Sequence, residues 1–243
     1  MSGRMRADRL LVERGLFESR AKAQAAIAAG LVTADGAAVA KPSDEIAADA
    51  VLHAAPAYPW VSRAGVKLAA ALDHFRFDPA GCVGLDVGAS TGGFTEVLLA
   101  RGARRVYAVD VGQAQLHASL RGRSDVISLE GTDIRHVTQA MLAEPPDTAV
   151  VDVSFISLKL VLPATLALLR RPAWLVALIK PQFEAGRRQV KKGIVRDARV
   201  QAAVCDDIAG FLAELAWNIT GVVPSPLAGR DGNREFLVGA VHD

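Results

Sequence analysis

Two cysteines are all the chain has, Cys82 and Cys205, far apart and in no C-x-x-C pair. That excludes a disulfide framework and a cysteine-built zinc site, and it fits a reducing compartment. No other cluster has metal-ligand spacing, so no metal is expected. A signal peptide is missing too: the first ten residues, MSGRMRADRL, hold no apolar run. The greasiest stretch, residues 158–169, is interrupted by Lys159 and Pro163 and is too short to span a bilayer. These features predict a soluble, cytoplasmic protein. A strong charge of one sign is also absent: 28 Lys and Arg against 26 Asp and Glu leave +2. Bulk charge therefore does not announce a nucleic-acid binder, and any such reading must rest on where the charges sit. There is no internal repeat and no low-complexity tract.

The 243 residues are 51% hydrophobic and 22% charged, ample for a core in one large or two unequal domains. Residues 84–95 read GLDVGASTGGFT. An apolar run, a glycine-rich turn and a helical pattern follow one another. Such a turn brings a ligand's polar group against bare backbone at a helix N-terminus. The glycines at 88, 92 and 93 do not match the G-x-G-x-x-G dinucleotide spacing, which makes a nicotinamide oxidoreductase the weakest option. The stretch resembles the D-x-G-x-x-x-G-G loop of class I methyltransferases, which bind S-adenosylmethionine.

From residue 82 onward apolar strands alternate with helical patterns. Strands are expected near 82–87, 106–110, 126–129, 149–153, 174–179, 219–223 and 235–241. Alternation of this kind implies an α/β fold, a seven-stranded, mostly parallel sheet covered on both faces. Ligands bind such sheets beyond the carboxyl ends of the strands. The strand ends carry Asp86 and Gly88, Asp110, Asp133, Asp152 and Lys180. A ring of ionisable groups on one rim has no packing rationale. Asp110 would accept from ribose hydroxyls, and Asp133 from an adenine amino group while Ile134 packs on the ring. The loop residues Asp86, Gly88, Ser90, Thr91, Gly92 and Gly93 would hold the rest of the cofactor, with Phe94 as ligand wall or core anchor.

Lys67 and Glu235 join Asp152 and Lys180. Two lysines and two carboxylates on one rim suggest more than surface ion pairs, because a lysine beside a second cation, or desolvated, loses proton affinity. That suits Lys180 to act as a base toward a weakly acidic hydroxyl, with Lys67 and Asp152 tuning and holding it and Glu235 orienting Lys67 or a ribose.

Residues 6–52 read as a separate small unit joined by a linker at 53–59, so that residues 1–59 and 60–243 form two domains. Helical patterns end at Gly15 and Gly30, Ser19 caps the second, and Asp35-Gly36 marks a hairpin. Arg6, Arg9, Arg20 and Lys22 gather early. The pattern R-x-D-x-x-L-V-x-x-G-L-x-x-S-R-x-x-A-x-x-x-I-x-x-G-x-V, followed by the hairpin and K-P-S, resembles the S-four-type RNA-binding domain, an α+β unit. The resemblance implies that these four residues face phosphates. A second basic cluster, Arg187, Arg188, Lys191 and Lys192, with Arg196 and Arg199 beyond it, follows the Lys180 strand and is expected to grip RNA.

Lys67, Asp152, Lys180 and Glu235 match in order the K-D-K-E tetrad of FtsJ-like ribose 2′-O-methyltransferases. The surrounding words S-R-A-G-x-K-L, T-D-I-R, D-V-S-F-I-S-L, I-K-P-Q-F-E and G-N-x-E-F-L carry the likeness over nearly the whole chain. With the N-terminal unit, the chain resembles the TlyA-type rRNA methyltransferases, sometimes labelled hemolysins. The resemblance implies a class I, Rossmann-like S-adenosylmethionine-dependent methyltransferase that methylates the 2′-hydroxyl of cytidine in ribosomal RNA. Two other classes remain to be weighed: a membrane-active protein, as the hemolysin label would have it, and an RNA-binding module on an inactive scaffold. Missing membrane segments argue against the first, and the intact tetrad against the second.

Overall fold

The computed structural model describes residues 3–186, 188–229 and 232–243. The chain divides into two compact units, Met1–Pro59 and Trp60–Asp243.

In the first unit, β1 (Arg4–Arg6) runs into α1 (Ala7–Glu13), and α2 (Arg20–Ala28) follows. Ser19 caps α2, its Oγ accepting from the Lys22 amide at 3.3 Å. Leu10 and Leu11 of α1 and Ala23, Ala26 and Ile27 of α2 are buried. The strands β2 (Val32–Ala34) and β3 (Ala37–Ala38) form the hairpin. Its turn residues Asp35 and Gly36 have φ of 50° and 80°, the two left-handed positions a type I′ turn requires. β4 (Glu45–Ala47) pairs with β1, and β5 (Leu52–Ala54) with β2, so a two-stranded and a three-stranded antiparallel sheet enclose a small core around Leu11, Phe17, Ile27 and Val32.

The second unit contains α3 (Ala64–Phe75), β6 (Val83–Val87), α4 (Gly93–Ala100), β7 (Arg105–Asp110), β8 (Val126–Glu130), β9 (Thr148–Val151) and α5 (Leu158–Ala167). It continues through β10 (Ala173–Ile179), α6 (Pro181–Glu184), α7 (Ala198–Glu214), β11 (Asn218–Pro224) and β12 (Phe236–His242). The seven strands lie in the order β11-β12-β10-β9-β6-β7-β8. Those from β6 to β10 are parallel, and β12 is antiparallel to both neighbours. Strand residues alternate between two cores, as a pleated sheet covered on both faces demands. In β9, Ala149 and Val151 share a core with Leu162 of α5 and Ile208 of α7, whereas Val150 packs with Leu68 of α3 and Val97 of α4.

The expected alternation of strand and helix is incomplete. Between β7 and β8 there are only turns, and between β8 and β9 only two short 3-10 turns, Ile134–His136 and Gln139–Met141. The sequence there is punctuated by Gly112, Gly122, Gly131, Pro145 and Pro146, which do not sustain a helix. Leu116 and Leu120 nonetheless cover that side, packing on Ala108 and Val126.

Candidate active site

β6 is flanked by β7 on one side and β9 on the other, so the chain's path across the sheet reverses at its carboxyl end. That reversal opens the crevice in which such sheets bind ligands. The loop after β6 fills it with backbone. Gly88 has φ +86°, its amide donates to the Val109 carbonyl at 2.8 Å, and a Cβ there would lie 2.5 Å from the Asp152 carbonyl oxygen. Gly92, at φ +91°, opens α4, where a Cβ would meet Leu120 at 2.3 Å. Ser90 is also left-handed, with φ 47°. Its amide donates to Asp110 Oδ2 at 2.8 Å, and the Gly112 amide donates to Oδ1 at 2.6 Å. The Asp110 carboxylate thus ties the glycine loop to the end of β7.

Two cavities flank this loop. One, of about 330 Å³, has Asp110, Asp133 and Asp152 as its acids and Val109, Val111 and Ile134 among its apolar walls. The other, of about 490 Å³, is lined by Lys67, Asp152, Lys180 and Glu235, with Thr91 and Phe94. Gly88, Ser90, Asp152, Ser154 and Phe155 border both. In the second cavity the four ionisable side chains form two pairs. Lys67 Nζ lies 2.5 Å from Glu235 Oε2, and Lys180 Nζ lies 2.6 Å from Asp152 Oδ1. Lys180 also donates to Ser154 Oγ at 2.8 Å. Lys67, Lys180 and Glu235 are all buried. Desolvated pairs of this kind cost stability that apolar side chains would not, so their retention beside a cavity points to chemistry.

Residues 60–241 match the FtsJ-like methyltransferase family and residues 5–52 match the S4 domain. The chain is 45% identical, over 98% of its length and 90% of the relative's, to the 16S/23S rRNA (cytidine-2′-O)-methyltransferase TlyA of Mycobacterium tuberculosis. The chain belongs to the FtsJ-like methyltransferases. Among solved structures, a protein called a hemolysin from Streptococcus thermophilus superposes with a TM-score of 0.78 at 39% identity, covering 99% of this chain and 89% of that one. The fold recurs in the fibrillarin of Aeropyrum pernix, whose structure holds S-adenosyl-L-methionine, at 21% identity and a TM-score of 0.52 over 72% of this chain and 74% of that one. Among the described residues no helix is long and apolar enough to cross a membrane, and no group of three His, Cys, Asp or Glu could hold a metal ion.

Not every nominated residue of this FtsJ-like unit reaches the cavities. Asp86 is wholly buried, lines neither, and accepts from Thr95 Oγ1 of α4 at 2.7 Å. Burial, with the charges of Asp152 and Asp110, pushes its carboxyl up to about 7. Asp86 thus braces β6 against α4. Gly92 and Gly93 also lie outside both linings. A Cβ on Gly93 would meet Ser62 Oγ at 2.2 Å, so this glycine serves close packing. Phe94 is 2% exposed and both anchors a core and lines the larger cavity. Asp133 lines the smaller cavity, but both of its oxygens receive bonds from Arg135, which hold it down at about 2. Burial raises the thiols of half-buried Cys82 and buried Cys205 to about 11, which does not suit a nucleophile.

Three further residues belong to the site. Ser154 fixes Lys180, and its only signal in the sequence is its place just past β9. Asn233, buried, accepts from the Val195 amide at 3.3 Å and donates to the Gly193 carbonyl at 2.9 Å, tying the loop after α6 to the segment before Glu235. Phe155 is 91% exposed at φ 64°, and its ring meets that of Phe183 at 5.0 Å, tilted by 48°. An exposed aromatic in a left-handed conformation is unusual enough to mark a functional position.

Of the second basic cluster, Arg188, Lys191 and Lys192 are exposed on the loop after α6; Arg187 lies outside the described residues. In the S4 unit Arg9 is exposed. Lys22 pairs with Glu18 at 2.8 Å. Arg6 and Arg20 both reach the carboxylate of Asp8, at 3.1 and 2.7 Å.

Proposed function

We propose that the chain transfers the methyl group of S-adenosylmethionine to the ribose 2′-hydroxyl of a cytidine in ribosomal RNA, acting in the cytoplasm. The single observation that carries this reading is the two lysine–carboxylate contacts, one buried and one partly buried, in a cavity that shares a wall with a nucleoside-sized cleft. The cleft suits the cofactor on its own terms. Its glycine turn admits no Cβ at Gly88, and it offers the carboxylates of Asp110, Asp133 and Asp152 beside apolar walls from Val111 and Ile134. Gly88, Ser90 and Thr91 would face the amino-acid end of the cofactor, Asp110 its ribose, and Asp133 with Ile134 its base. When bound, the cofactor supplies a methyl group on a positively charged sulfur.

The remaining work falls to the chain's own side chains. Attack by a hydroxyl on that methyl neutralises charge, so the demands are alignment and removal of one proton. Lys180 takes the 2′-hydroxyl proton. Asp152 and Ser154 hold its Nζ in place, and Lys67 and Glu235 orient the ribose from the other pair. The S4 unit and the basic loop at 188–199 hold the RNA through its phosphates, which fixes register without reading sequence. The relative's activity on cytidine in ribosomal RNA, at 45% identity over almost the whole chain, supports the choice of acceptor.

Lys180→Ala tests the reading. The variant should bind S-adenosylmethionine by calorimetry with near-native affinity and lose methyl transfer by roughly a hundredfold or more, the usual contribution of a positioned base. Normal turnover would remove Lys180 from the mechanism.

A further inference from the structure

In the S4 unit, one fully buried carboxylate holds two half-exposed arginines. Asp8 has no exposed surface, while the side chains of Arg6 and Arg20 are 42% and 54% exposed. Arg6 donates from Nε to Oδ1 at 3.1 Å and from Nη2 to Oδ2 at 3.2 Å. Arg20 donates to Oδ2 from Nε at 3.2 Å and from Nη2 at 2.7 Å, and Gln24 adds a bond to the same oxygen at 2.8 Å. The Asp8 amide in turn donates to the Pro42 carbonyl at 3.1 Å, which anchors the start of α1. The bonds from Arg6 above all hold the Asp8 carboxyl far below the usual carboxylate range, so it stays charged.

Two guanidiniums side by side repel each other, and as free side chains each would lose rotamer entropy on meeting a ligand. Here each spends its Nε–Nη2 edge on Asp8 and keeps its Nη1 donors for an outside partner. The three groups sum to one net positive charge, with donors in two fixed planar forks. That is the arrangement a phosphate oxyanion accepts best. We propose that Asp8 is a positioning residue that presents Arg6 and Arg20 as one preformed clamp for a phosphodiester of the RNA backbone. The inference rests on the RNA-binding reading of this unit and adds to it the residue that builds the site.

A paradox of sign makes it testable. Asp8→Asn removes a negative charge from a nucleic-acid-binding face. If electrostatics alone governed affinity, RNA would bind more tightly. If Asp8 arranges the clamp, RNA binds more weakly although the protein has become more positive. The full-length protein and its variants are titrated with purified bacterial ribosomal RNA at several salt concentrations, well below the melting temperature of each. Cofactor affinity is measured in parallel. Asp8→Asn should weaken binding about tenfold, the loss of one charge-assisted contact, and flatten the salt slope by about one. S-adenosylmethionine affinity should not change. Arg20→Lys keeps the charge but cannot form the fork, and it should weaken binding similarly; it carries the test if Asp8→Asn does not fold. Native or tighter RNA binding by Asp8→Asn or Arg20→Lys, with weaker binding by the Arg6→Ala, Arg20→Ala double variant, overturns the clamp and leaves the RNA-binding reading standing. Native binding by that double variant overturns the RNA-binding reading itself.

Discussion

Lys67 Nζ and Glu235 Oε2 lie 2.5 Å apart with both side chains almost wholly removed from water. Neither charge has solvent to fall back on, so each depends on the other. Breaking such a pair from one side costs about 3–5 kcal/mol, whereas replacing both partners with apolar groups of similar volume is often neutral. Glu235→Leu should therefore be strongly destabilised, and Lys67→Met combined with Glu235→Leu should recover most of the loss in thermal or urea unfolding. Neither variant should transfer methyl groups. Strictly additive destabilisation in the double variant would mean that the two side chains do not depend on one another.

Gly88 is where the loop after β6 touches the end of β9. Its φ of +86°, and the 2.5 Å that would separate a Cβ from the Asp152 carbonyl oxygen, leave no room for a side chain. Gly88→Ala must adopt a left-handed conformation, at about 1–2 kcal/mol, and also push the Asp152 segment away. The variant should lose S-adenosylmethionine affinity tenfold or more by calorimetry, and methyl transfer further still because Asp152 moves. Native cofactor affinity would place the ligand elsewhere.

Asp86 titrates near 7 in the folded protein against about 4 in an unfolded chain. Its folded-state value is raised, so the folded form holds a proton that the unfolded form has released between those two values. Stability contributed by this group is therefore lost as pH rises from about 4 to about 7 and is level above that. Asp86→Asn is neutral throughout and can still accept from Thr95. The variant should match the native protein near pH 4 and exceed its stability by a growing margin up to pH 7, on the order of 1.4 kcal/mol per pH unit. A constant difference across that window would show that Asp86 does not titrate there.

The strands are legible in the sequence because buried parallel strands read as unbroken apolar runs, and residues 174–179 form the core of β10 almost to the residue. The tetrad is legible as well, through its order and the words around it. The pairings are not. Lys67 bonds Glu235, 168 positions away, and only the antiparallel β12 beside β10 brings that segment to the rim. The placement of Asp86 follows from parity. It sits next to Leu85 and Val87, which face one core, so its own side chain points to the other face, at Thr95 of α4, and not along the strand to the crevice. Arg6 and Arg20 read as solvated phosphate ligands because nothing in a one-dimensional pattern shows that α1 and α2 meet over Asp8. The missing helices after β7 and β8 reflect glycine and proline punctuation overriding the usual βαβ rhythm.

The loop after α6 offers exposed cations beside the tetrad cavity, and Gly193 within it lines that cavity. Arg188→Glu with Lys192→Glu should weaken ribosomal RNA binding and reduce its salt dependence, since each lost phosphate contact removes close to one unit of slope. Cofactor affinity should stay native. Unchanged RNA affinity and salt slope would assign these side chains to solvent.

The most direct test of the central claim is a map of ribose 2′-O-methyl groups in ribosomal RNA from cells with the gene, without it, and with the Lys180→Ala form in its place. At least one cytidine 2′-O-methyl should be present with the native gene and missing from the other two. Identical maps in all three, or a gene-dependent methyl group on a base nitrogen or carbon instead of a ribose oxygen, would contradict it.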